Sequence, residues 1–231
     1  MLLSMNQRLL ALTTNGLLWF ATVVNPQQLG HTTADHHFRW SERLGHELNY
    51  QHTIANAKEL APKERSALLA FVLSRFKHPI NGHDTDMFED ISDEQIQNLA
   101  ANTRIELFDL NGDGKDEIIA QGNGLGPCGG TGNCMVFVLQ STPAGIKTLF
   151  DSRAEGFGGF EKIRVLDTAT NGFRDIVLAS HDSASDRTIE VFRFAGGRYR
   201  VSDCYYATTE PAGHPEGLRN PEISRSCPGE K

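Results

Sequence analysis

A chain of 231 residues with 39% hydrophobic and 22% charged content is globular rather than disordered, and long enough to bury a core in one good-sized domain or two small ones. A net charge of −7 argues against non-specific nucleic-acid binding, which needs basic patches to neutralise phosphate, so no nucleic-acid partner is expected. The cysteines Cys128, Cys134, Cys204 and Cys227 are even in number, which suits disulfides in an oxidising compartment.

At the amino terminus Arg8 precedes an apolar stretch, residues 9–24, interrupted by Thr13, Thr14, Asn15 and Gly16. A positive residue before an apolar run reads as a secretory signal. Residues 1–24 are therefore expected to be a signal or membrane-anchor segment of a periplasmic or secreted protein. Any membrane association is expected through this segment alone, which is short for a span.

Residues 25–101 read as a polar segment followed by a small helical region. His31, His36, His37, His46 and His52 are spaced like no defined metal site, and a solvated polar segment explains them. A helix is expected from about Leu60, with Pro62 in its first turn and one apolar face of Leu68, Leu69, Val72, Leu73 and Phe76. Pro79 and Gly82 are expected to end it. Ser92 with Gln95 three residues later is a capping-box pattern, opening a second helix with Ile96, Leu99 and Ala100 inward.

The pattern then changes to alternation, and residues 102–207 are expected to form an antiparallel β domain. Strands are read at Ile105 and Leu107, at 118–120, 135–139, 162–166, 175–179, 188–194 and 198–201, with a hairpin turn at Gly196 and Gly197. The tail, 208–231, is expected to be loop. The fold class is thus α+β.

A shift of 58 positions lays Asp109, Gly114, Glu117 and Ile118 over Asp167, Gly172, Asp175 and Ile176, as two units of one internal repeat. Residues 109–117 are the acidic loop of the first unit. Asp109, Asn111 and Asp113 occupy alternate positions, Gly114 allows a sharp turn, the Lys115 carbonyl follows, and Glu117 can close the site. Oxygen donors in this pattern suit calcium. Ala120 stands where an EF-hand needs its closing glutamate, and the flanks are strand-like, which excludes that motif. The second unit keeps Asp167, Asn171 and Asp175 but has Ala169 in the third position, so weak or no metal binding is expected there.

The spacing Asp-x-Asn-x-Asp-Gly-x-x-Glu followed by Ile-Ile resembles the calcium loops of FG-GAP and VCBS-type repeats. It is also similar to a bacterial exported domain of unassigned function that carries such a loop beside a Cys-containing Gly-rich segment, here residues 128–134. The resemblance covers about residues 100–207. It implies a calcium site at Asp109, Asn111, Asp113, Lys115 and Glu117, and a β domain of two FG-GAP-like units. Two units are too few to close a propeller, which points to a small sheet domain.

Cys128 and Cys134 are expected to pair, because three glycines among the five residues between them allow a close approach. Cys204 and Cys227 then pair by elimination. The segment His181, Asp182, Ser183, Ala184, Ser185, Asp186 holds the residue types of a hydrolytic triad, but triad members normally come from separate elements, and with no Gly-x-Ser-x-Gly elbow a loop between two strands is the better reading. The expected function is non-enzymatic: calcium-stabilised binding of a protein or glycan partner in the envelope or outside the cell. A periplasmic inhibitor or immunity-type protein and a metal-dependent hydrolase are the alternatives.

Overall fold

The computed structural model describes residues 45–77, 88, 91–183, 186–208 and 222–225. The expected signal segment and the expected Cys204–Cys227 pairing lie wholly or partly outside them.

Helix α1, Pro62–Lys77, buries Leu68, Val72 and Phe76, the stripe its 3.6-residue spacing dictates. Helix α2, Asp93–Ala101, opens with the complete capping box: Gln95 N–H donates to Ser92 Oγ, and the Ser92 N–H donates to the Gln95 side chain. Two antiparallel sheets follow. One runs β2 (His52–Thr53), β3 (Arg104–Phe108), β4 (Glu117–Gln121), β5 (Val136–Thr142), β6 (Gly145–Asp151). The other runs β1 (His46–Glu47), β7 (Lys162–Thr170), β8 (Phe173–His181), β9 (Asp186–Ala195), β10 (Arg198–Thr208), β11 (Glu222–Arg225). The protein is α+β and mostly β.

Strands β3 to β6 and strands β7 to β10 are each a four-stranded meander in sequence order. Alternation along the strands sorts the cores. Ile119, Val136 and Val138 of the first meander meet Ile176, Leu178 and Phe192 of the second in one cluster, so the sheets pack face to face. The opposite face of the first meander, Ile118, Ala120, Phe137 and Leu139, packs on the α1 and α2 stripes. This is why β4 is buried on both faces and reads as a continuous apolar run.

Several expectations need correction. No strand is read at β6 from the sequence; its second half, Leu149 to Asp151, is buried without alternation because the register shifts there, Val138 pairing with Phe150 and Leu139 with Thr148, so that Leu149 is the extra residue of a bulge on β6. The residues read as a second acidic loop are strand: β7 continues to Thr170, and Asn171 and Gly172, with φ of 51° and 83°, make a two-residue hairpin turn. The 208–231 tail contains β11, paired with β10 from Thr208↔Glu222 to Tyr205↔Arg225. Two-residue strands β1 and β2 lie in the segment read as irregular. That segment crosses from the edge of β7, through His46↔Val165, to the edge of β3, through His52↔Ile105, and seats Leu48 in the inter-sheet core.

Candidate metal loop

Residues 109–117 connect β3 to β4 at one end of the sheet pair. The chain turns at Gly112 and Gly114, with φ of 73° and 81°, values that favour glycine. A Cβ at either position would meet nothing within 4 Å, so backbone conformation and not space is what asks for glycine.

The oxygen-bearing side chains fold over their own backbone. Asp109 Oδ1 accepts from Gly112 N–H at 2.7 Å, and Oδ2 from Gly114 N–H at 3.0 Å. Asn111 Oδ1 accepts from Asp113 N–H at 2.9 Å, and Asp113 Oδ1 from Lys115 N–H at 2.8 Å. Desolvation alone would raise the Asp109 pKa; the N–H groups of Gly114, Gly112, Asp113 and Asn111 together outweigh it and hold the carboxyl below its ordinary range.

Glu117 lies differently, 1% exposed at the start of β4. Its Oε2 accepts from Leu110 N–H at 2.9 Å, and its Oε1 from the amides of Asn111 at 3.0 Å and Gln140 at 2.9 Å. Burial raises its pKa, the Leu110 and Gln140 hydrogen bonds work against that, and the negative charges of Asp113 and Asp109 add to it. Leu110, the second residue of the loop, is 1% exposed in the inter-sheet core. Its carbonyl accepts from Arg174 N–H of β8 at 2.7 Å, and the Arg174 carbonyl accepts from the buried Tyr199 hydroxyl of β10 at 2.8 Å. One hydrogen-bonded path thus runs from Glu117 through the loop into the second sheet.

The donor set is all oxygen, which fits a hard cation, and the two Asp109 oxygens each keep acceptor capacity beyond one N–H bond. As the side chains stand, no three His, Cys, Asp or Glu among the described residues are gathered for an ion. The equivalent positions of the second unit are dispersed: Asp167 is 84% exposed beside Arg174 at 3.3 Å, while Asp175 is buried and accepts from Thr168 Oγ1 at 2.8 Å.

At the opposite end of β4 the Gly-rich loop is closed by the expected Cys128–Cys134 disulfide. Cys134 exchanges two backbone hydrogen bonds with Phe160, and the Asn133 side chain donates to and accepts from the His181 backbone, both at 2.8 Å. Cys204 is also disulfide-bonded, with its partner outside the described residues. Within the triad-type segment Ser183 Oγ donates to Asp186 at 2.6 Å, while His181 Nδ1 faces Glu161 at 3.3 Å and Asp182 accepts from the Thr188 hydroxyl at 2.6 Å. Glu190 on β9 is not singled out by the sequence; it is 5% exposed between Leu178 and Cys204, its pKa pushed up to about 7 by burial and by the Asp182 charge. Its only sequence signal was a charge amid an apolar run.

Among the described residues no helix is long and apolar enough to cross a membrane. No family model, curated protein or solved structure matches the chain.

Proposed function

We propose that residues 109–117 bind calcium and that the protein is an exported, non-enzymatic domain of two FG-GAP-like units, acting by binding a protein or glycan partner. The observation that carries this reading is the placing of Asp109, Asn111 and Asp113 at alternate positions of one glycine-hinged loop, with Asp109 held ionised by backbone N–H groups. Asp109, Asn111, Asp113 and the Lys115 carbonyl hold the ion, and Glu117 closes the site by exchanging its Asn111 contact for it. The cation supplies the positive charge that the loop carboxylates lack. The Cys128–Cys134 disulfide supports export, since such bonds persist in oxidising compartments.

The test is the melting temperature of the purified protein with calcium and with chelator. A ligand that binds only the folded state raises stability by RT ln(1 + [L]/Kd), about 2.7 kcal/mol at roughly a hundredfold excess over Kd. A melting temperature indifferent to chelator overturns the calcium reading.

A further inference from the structure

Asparagine followed by glycine occurs at Asn15, Asn81, Asn111, Asn123 and Asn171, and the last three fall among the described residues. A following glycine offers no Cβ to obstruct its own backbone nitrogen as that nitrogen approaches the asparagine Cγ. In the reaction the glycine N–H loses its proton to solvent base, and the nitrogen forms a bond to Cγ. The bond from Cγ to the side-chain nitrogen breaks, and that nitrogen leaves as ammonia. Water then opens the cyclic imide at either carbonyl, giving aspartate or isoaspartate. One water is consumed and one ammonia released, with no oxidant or reductant. Two kinds of contact oppose the reaction: one that holds the attacking N–H, and one that fixes the amide.

Asn111 and Asn171 are protected in these ways. The Gly112 N–H is donated to Asp109 Oδ1 at 2.7 Å, where a nitrogen anion would face a carboxylate. The Asn111 amide is itself held by Asp113 N–H and Glu117 Oε1. Asn171 donates its amide N–H to the Phe194 carbonyl at 2.7 Å from within a tight hairpin turn.

Asn123 has neither protection. It is exposed, and among the described residues nothing hydrogen-bonds to its side chain or to the Gly124 N–H. Its surroundings are anchored: Gly122 N–H donates to the Met135 carbonyl, and Cys128 N–H donates to the Gly124 carbonyl. The reactive peptide is thus a free link between two anchored points of the chain, just before the segment closed by the Cys128–Cys134 disulfide.

We infer that Asn123 is a covalent modification site, the position among these three at which the protein converts asparagine to aspartate and isoaspartate. The isoaspartyl form, with its backbone lengthened by a methylene between Gly122 and Gly124, is a substrate for an isoaspartate-directed carboxyl methyltransferase.

The experiment ages the intact, disulfide-bonded protein at mildly alkaline pH and follows each asparagine by peptide mapping. Methyl transfer to the aged protein by an isoaspartyl methyltransferase is the second readout, located by mapping the methylated peptide. Conversion at Asn123 several-fold faster than at Asn111 and Asn171, with methylation of the 123-containing peptide that Asn123→Gln removes, is the expected result. Equal rates at the three sites, or Asn111 or Asn171 converting first, overturns the inference. Asp109→Ala releases the Gly112 N–H and is expected to speed conversion at Asn111 several-fold; an unchanged rate there overturns the argument from backbone engagement.

Discussion

Leu110 and Arg174 join the two sheets at the loop end of the molecule: the Arg174 N–H donates to the Leu110 carbonyl at 2.7 Å, while the Leu110 side chain sits in the core between the sheets. The loop proposed to hold calcium is therefore fastened to both meanders. Leu110→Ala removes a buried side chain at this junction and is expected to cost about 2–5 kcal/mol by denaturant unfolding. A loss within error of zero would mean that the junction bears no part of the packing.

The loop variants divide by role. Asp109→Ala and Asp113→Ala each delete a charge proposed to face the ion, and are expected to abolish most of the calcium-dependent rise in melting temperature. Asp116→Ala and Asp167→Ala are expected to leave it nearly intact, because exposed Asp116 is not among the residues proposed to hold the ion and Asp167 lies exposed beside Arg174. Titration of the four variants with calcium checks this. Equal responses from all four would detach the effect from this loop.

Glu190 predicts a pH dependence. Burial and the Asp182 charge raise its pKa from 4.5 to about 7 in the folded protein. The unfolded chain ionises Glu190 near its ordinary value, whereas the folded chain resists ionisation until about pH 7. Stability from this group is therefore present at acid pH, falls as pH rises between those values, and stays lower above them. The loss amounts to about 3 kcal/mol at most. Glu190→Gln is expected to flatten the curve and to be the more stable protein at mildly alkaline pH. Denaturation of both proteins across that range is the check, and parallel curves would contradict it.

The disulfide makes a separate prediction. Cys128→Ser with Cys134→Ser opens a link of sequence separation 6 and is expected to destabilise by about 2 kcal/mol in the loop-entropy estimate. Chemical denaturation of the double variant against the oxidised parent measures it. The variant should also loosen Cys134 from Phe160 and Asn133 from His181, seen as faster amide exchange there.

The sequence announced those elements whose local chemistry agrees with their surroundings. The stripe of α1, the Ser92 cap of α2 and the Gly196–Gly197 turn are set by residues within a few positions of each other. The acidic loop was legible as a loop for the same reason. Its inward half was not: Glu117 stands in the ligand pattern, yet its contacts to Leu110, Asn111 and Gln140 depend on β5 lying alongside. Asp167 read as the start of a second loop, but a bulge between Val165 and Ala169 carries β7 past it. Strand β11 and the two-residue strands β1 and β2 are too short, or too polar, to rise above a loop pattern, and they exist because an edge was available to pair with.

The short crossing from β1 to β2 bears on the order in which the protein folds. His46 and Glu47 pair with Val165 and Arg164, and His52 and Thr53 pair with Ile105 and Arg104, so a few consecutive residues contact chain that is synthesised much later. Each meander can form from hairpins closed by its own turns, whereas this segment finds all of its partners only when both are present. Contacts of such long sequence separation form slowly because a large loop must close first. The crossing ties the two meanders together across the edges of both sheets, and its Leu48 lies in the core between them.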